Sequence, residues 1–142
     1  MPSSGSRVGG RLVIDTSAYS RLRGGDSQVL DRVAAATLVL IPTVVLGELE
    51  AGFILGPRAA ENRESLAELL GEPFVAVVEV DEAVAKQYGV VFAQLRRAGT
   101  PIPTNDIWIA AAAVERGATL VTFDTHFGHV RGLACEILKS ES

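Results

Sequence analysis

Five short apolar runs separated by helical patterns constrain this chain more than any other feature in it. RLVID (residues 11–15), TLVLI (37–41), FVAVVEV (74–80) and ATLVTF (118–123) are rich in β-branched residues, and LACEIL (133–138) is a weaker fifth. Each run is nearly continuous rather than alternating, which is the pattern of strands covered on both faces, as in a parallel sheet. Between the runs lie helical stretches. Ser17–Arg23 and Ser27–Ala36 are separated by Gly24–Gly25, and Thr43–Leu55 starts just after Pro42. Pro57 is read as opening a further helix through Leu70. In residues 82–98, Val84, Tyr88, Val91, Phe92 and Leu95 recur at helical spacing. Thr104–Arg116 is the last helix, closed by Gly117. Such alternation predicts an α/β three-layer domain.

At 142 residues the chain has the size of one domain with a substantial core. No apolar run approaches the ~18 residues of a membrane span, and MPSSGSRVGG lacks the apolar stretch of a secretory signal. Residues 1–10 are therefore read as a flexible tail, 11–138 as the folded domain and 139–142 as a polar end. A cytoplasmic location is expected, and no membrane contact. Cys135 is the only cysteine, so an intrachain disulfide or a Cys-based zinc site is excluded. A G-x-G-x-x-G or G-K-[ST] motif is also absent, which disfavours nucleotide-cofactor functions.

Four acids stand beside sequence that should be buried, where an unpaired charge is expensive. Asp15 ends the first run and Asp124 follows the fourth; Glu48 sits inside TVVLGELEAGF, and Asp106 opens NDIWIAAAAVE. In an open parallel sheet, ligands collect beyond the carboxyl ends of the strands, where strand order reverses. If the first and fourth strands are neighbours there, Asp15 and Asp124 face one pocket, and Asp106 and Glu48 can reach the same edge. Converging carboxylates suit hard divalent cations such as Mg²⁺ or Mn²⁺. The chemistry expected of such ions is metal-assisted phosphodiester hydrolysis. The 17 acids exceed the 13 bases by four, the number of these carboxylates. Two bound divalent cations would formally cancel that excess, so a net charge of −4 leaves an RNA substrate open.

Each acid also has a purely structural reading. Asp15 in DTS can cap the following helix, Asp106 can complement the dipole of a helix capped by Thr104, and Asp124 can be a turn residue. Periodicity leaves open whether Glu48 or Glu50 faces the pocket. Trp108 fits either base stacking or packing within its alanine-rich helix. Cys135 reads as a small buried residue.

The segments VIDTS, GELEAG, NDIWIAA and VTFDTHF, in this order and at these separations, resemble a PIN domain, and in particular the VapC-type toxin ribonucleases of toxin–antitoxin pairs. The resemblance covers residues 11 to 138. It matches Asp15 with Thr16 and Ser17, and it selects Glu48, with Leu49 and Gly52, over Glu50. It further matches Asp106 with Asn105, Ile109, Ala110 and Ala111, and Asp124 with Thr122 and Phe127. The position two residues after the fourth acid, often Asp or Asn in the family, is His126 here. The resemblance implies a five-stranded parallel sheet between helices and an endoribonuclease dependent on Mg²⁺ or Mn²⁺. The acids Asp15, Glu48, Asp106 and Asp124 would be its metal-holding catalytic residues. Ser17, Thr104, Asn105 and His126 would be supporting or substrate contacts. It also implies an RNA substrate, a VapB-type antitoxin partner and a homodimer. The alternative is a PIN-like RNA- or protein-binding module with weak or lost catalysis.

Overall fold

A computed structural model of the protein describes residues 10–140. Most of the expected tail, residues 1–9, and the last two residues of the polar end lie outside the described residues. The strands are β1 (Arg11–Ile14), β2 (Leu38–Pro42), β3 (Val75–Val78), β4 (Thr119–Thr122) and β5 (Cys135–Ile137). The helices are α1 (Thr16–Arg23), α2 (Ser27–Ala35), α3 (Thr43–Leu55), α4 (Ala59–Leu70), α5 (Glu82–Ala98) and α6 (Thr104–Glu115), and a 3₁₀ turn spans Thr125–His129. All five strands are parallel, in the order β3-β2-β1-β4-β5, with helices flanking the sheet.

That order fixes where a ligand can sit. The chain builds outward from β1 through β2 to β3, then crosses back to place β4 on the other side of β1. The switch point therefore lies between β1 and β4, which pair with Ile14 opposite Val121. Loops leaving the two strands diverge there and open a crevice at their carboxyl ends.

The central strands are buried on both faces as the apolar runs require: Val13, Ile14, Val39, Ile41, Leu120 and Val121 are all fully buried. The edge strands depart from that expectation. Val77 of β3 and Ile137 of β5 are exposed, because an edge strand has a neighbour on one side only. β3 also ends at Val78, leaving Glu79 and Val80 outside the strand.

Local chemistry explains the helix boundaries. Asp26 caps α2 by accepting from the backbone N–H groups of Gln28 and Val29, and Asp81 caps α5 through Val84. Gly99 closes α5 at φ 72°, a left-handed conformation that glycine adopts without a Cβ penalty. Two expectations are corrected. Pro57 lies in the turn before α4, which begins at Ala59. Thr104 does not cap α6: Pro103 occupies the cap position, with no side-chain cap bond. In α6 the run Ala110–Ala113 is buried throughout, and small side chains let this helix lie close against its neighbours α5 and β4. No helix among the described residues is long and apolar enough to cross a membrane.

Cys135 is partly buried rather than fully buried. Desolvation pushes its thiol up to about 11, with the negative charges of Asp15 and Glu136 adding to the rise. Alkylation by iodoacetamide at pH 8 is expected to be ~10²-fold slower than for a free thiol of pKa ~8.5, because the thiolate is the reacting form. The rate should climb only as the pH approaches the raised value. Reaction at free-thiol speed, followed by mass spectrometry, would contradict the assigned environment.

Candidate active site

The four acids converge. Asp15, Glu48, Asp106 and Asp124 line one cleft together with Thr16, Ser17, Ser20 and Ile109. Its volume is about 290 Å³, several times the ~30 Å³ a water molecule occupies in the liquid, so a hydrated ion fits within it. No Lys or Arg lines it among the described residues.

Asp15 follows directly from β1 and is 5% exposed. One oxygen, Oδ1, accepts from the Ala18 backbone N–H (2.9 Å) and the Ser17 hydroxyl (2.9 Å). The other, Oδ2, accepts from the Thr122 hydroxyl on the neighbouring strand. The capping reading and the cleft reading are thus both correct, since one carboxylate starts α1 and lines the cleft. Burial raises its pKa most, the three donors oppose that rise, and Asp124 adds to it.

Glu48 lies about one turn into α3, which begins directly after β2 and so starts from the same sheet edge. Thr16 donates its hydroxyl to Glu48 Oε1 (2.7 Å), and Asn105 donates its amide to Oε2 (3.4 Å). Glu50 instead pairs with Arg63 of α4, outside the cleft. The ambiguity between the two glutamates is resolved by what each one faces.

Asp106 sits in the first turn of α6. Its carboxyl is pushed up to about 6, first by desolvation and next by the charge of Asp124, with Glu48 adding and His126 opposing. Asp124 caps the 3₁₀ turn through the His126 N–H (2.9 Å), and its own N–H donates to Thr122 Oγ1 (2.9 Å). His126 Nδ1 lies 3.0 Å from Asp124 Oδ1 and 3.5 Å from Asp106 Oδ2.

Of the supporting residues expected from sequence, Ser17, Asn105 and His126 reach the cluster. Thr104 does not: it lines a separate apolar cavity with Phe92, Leu95, Ile102 and Ile107. Trp108 packs, its ring stacked on Tyr88 of α5 at 4.0 Å between centroids. Sequence reasoning gave Thr16 and Thr122 no role in holding the acids, although both stand inside the matched motifs. The signal for Thr122 was a hydroxyl at the end of a fully buried strand, where a polar group needs a partner.

A model of the PIN domain family matches residues 12–133. This chain belongs to the PIN-domain family. It is 37% identical over 91 residues to Ribonuclease VapC4 of Mycobacterium tuberculosis (strain ATCC 25618 / H37Rv), covering 61% of this chain and 67% of the relative. It is 34% identical over 122 residues to the plasmid stability protein StbB of Pseudomonas syringae pv. tomato (strain ATCC BAA-871 / DC3000), covering 80% and 88%. Its structure resembles the crystal structure of VapBC-5, a member of the VapBC family of toxin–antitoxin systems from M. tuberculosis. That likeness has a TM-score of 0.69 and 26% identity, with coverage of 92% of this chain and 98% of the other.

The donor set of this PIN domain fits a divalent cation. Ligand atoms of Asp106, Asp124 and His126 all lie within 4.8 Å of one another, and the raised pKa of Asp106 reports desolvation first and then repulsion from Asp124 and Glu48, which His126 relieves only in part. A group whose folded pKa is raised contributes full stability below its unfolded value of 3.8 and loses it as pH rises through about 6. At pH 7 the metal-free protein bears that whole cost, ~3 kcal/mol at most. Asp106→Asn is therefore expected to raise the melting temperature of the metal-free protein at pH 7, with little change at pH 4. Added Mn²⁺ should raise the wild-type melting temperature more than that of the variant. A variant melting below wild type at pH 7 would show that Asp106 is not under this repulsion.

Proposed function

We propose that this PIN domain is a divalent-metal-dependent endoribonuclease that hydrolyses RNA phosphodiesters as the toxin of a toxin–antitoxin pair. The observation that carries the reading is the convergence of four carboxylates at the β1/β4 switch point in a cleft lined by no Lys or Arg among the described residues. The ribonuclease named among its relatives and the VapBC-5 toxin–antitoxin structure support the substrate class and a VapB-type antitoxin partner. Val90 and Phe92 on α5 are exposed, and pairing of two copies would cover such surface.

Asp15, Glu48, Asp106 and Asp124 would hold Mg²⁺ or Mn²⁺. When bound, such ions supply positive charge against the developing charge of the phosphate and acidify an attacking water. The protein's own contribution is orientation. Ser17, Thr122 and the Ala18 N–H hold both oxygens of Asp15. Thr16 and Asn105 hold Glu48, tying α1 and α6 to α3. Asp106 and Asp124 keep acceptor capacity facing the cleft, on a helix start and a strand end that packing makes rigid. Incubation of the purified protein with RNA and Mg²⁺ or Mn²⁺ should give internal cleavage that EDTA abolishes and excess metal restores. Cleavage unaffected by EDTA would reject the mechanism.

A further inference from the structure

His126 faces the cluster from the turn that follows β4, and the backbone fixes its approach. Its own N–H donates to Asp124 Oδ1, the oxygen that its Nδ1 approaches at 3.0 Å. The second carboxylate, Asp106, lies 3.5 Å away through Oδ2. Two adjacent ligands of one octahedral ion, each bound at ~2.1 Å, are separated by about 3 Å. The imidazole nitrogen therefore already stands near the spacing of a neighbouring ligand from each carboxylate, and all three ligand atoms lie within 4.8 Å of one another. The side chain is half exposed, so an Nε2–H can donate to water. Nδ1 can then give a bound cation the lone pair, in place of the hydrogen bond it makes to the carboxylates without one.

We infer that His126 is a nitrogen ligand of the cation in this cleft and biases it toward first-row transition ions, Mn²⁺ among them, over Mg²⁺. Mg²⁺ is a hard cation that takes oxygen donors; imidazole suits Fe, Ni, Cu and Zn ions best, and Mn²⁺, the weakest binder of that series, still accepts a nitrogen donor more readily than Mg²⁺ does. An all-carboxylate cluster would lack that discrimination. The inference rests on the reading of the cleft as the cation site.

The test uses tag-free full-length protein with Mn²⁺ alone as the probe. Pulsed electron paramagnetic resonance of the Mn²⁺ complex should show ¹⁴N coupling from a directly bound imidazole. His126→Asp should lose that coupling, and His129→Asn, at the only other histidine, should retain it. Both positions are exposed on the 3₁₀ turn, so neither variant opens the core. Calorimetric titration should show the ratio of Mn²⁺ to Mg²⁺ affinity falling about tenfold in His126→Asp, at the lower end of the ~10–100-fold losses typical of a perturbed metal environment. Mn²⁺ bound by the wild type without ¹⁴N coupling, or an unchanged ratio in the variant, would overturn the role of His126 and leave the cleft reading intact. Failure of the wild type to bind Mn²⁺ at millimolar concentration would overturn both.

Discussion

Asp15→Asn should lower RNA cleavage by about 10²–10³-fold, the scale of losing one charge-stabilising group at a reacting centre, while leaving the fold intact. The local hydrogen bonding separates these effects. Every partner of Asp15 is a donor: the Ala18 N–H, the Ser17 hydroxyl and the Thr122 hydroxyl. An asparagine keeps one carbonyl oxygen for the Ala18 N–H and so still caps α1. The same oxygen still accepts from the Ser17 hydroxyl, and the amide meets only Thr122, whose hydroxyl can turn to accept. The substitution also removes a carboxylate whose charged form is disfavoured by burial, so the variant should unfold at a urea concentration equal to or above that of the wild type. Gel-based cleavage assays with Mn²⁺ and urea titrations of the same preparations measure both quantities. Wild-type cleavage rates in Asp15→Asn would remove Asp15 from the chemistry. Loss of activity accompanied by loss of the fold would reduce it to a cap.

Thr122→Val should destabilise the metal-free protein by ~2–3 kcal/mol and impair cleavage as well. Valine matches threonine in shape but takes away the hydroxyl, and this hydroxyl has no solvent to replace it, since Thr122 is fully buried. It donates to Asp15 Oδ2, accepts from the Asp124 N–H and lies 3.4 Å from Ser17 Oγ. Removing it leaves a buried carboxylate oxygen and a backbone N–H without their partner, and orphaned groups of this kind cost about 1–3 kcal/mol, more when charged. It also frees Asp15 and Asp124 from a shared anchor, so Thr122 acts as a positioning residue. Thr122→Ser, which keeps the hydroxyl, should recover most of the activity and most of the stability. If valine and serine variants were equally active, the hydroxyl would have no part in holding the two acids.

The fold was largely legible because its strongest signal is periodic and local. Runs such as RLVID and TLVTF are short and rich in β-branched residues, which favours buried strands, and Val84, Tyr88, Val91 and Leu95 recur at helical spacing. Boundaries were less legible. FVAVVEV continues to Val80 in apolar character, yet β3 ends at Val78 because it is an edge strand that one neighbour alone defines. Proline suggested a start for α4 at Pro57, and the turn took it instead. Thr104 looked like a cap and a supporting contact, yet Pro103 is the cap residue of α6, and Thr104 lines the apolar cavity rather than the cleft of the acids.

The site divides along similar lines. The identity of the four acids was readable, since a carboxylate beside a buried run demands a reason and the PIN-like motifs named the four. Their partners were not. The bond from Thr122 to Asp15 joins residues 107 positions apart, and that from Asn105 to Glu48 joins residues 57 apart. Such contacts depend on which strands are neighbours, and neither propensity nor spacing carries that information.

Residue order alone thus determined that this chain forms alternating strands and helices, with Asp15, Asp106 and Asp124 at or near their ends and Glu48 about one turn inside a helix. Tertiary structure decided that β4 lies against β1. That single adjacency brings the carboxyl ends of two buried strands together, sets Thr122 beneath Asp15 and turns His126 toward Asp106 and Asp124. The physical reason is that side-chain chemistry is local, whereas convergence requires the chain to cross the sheet and return.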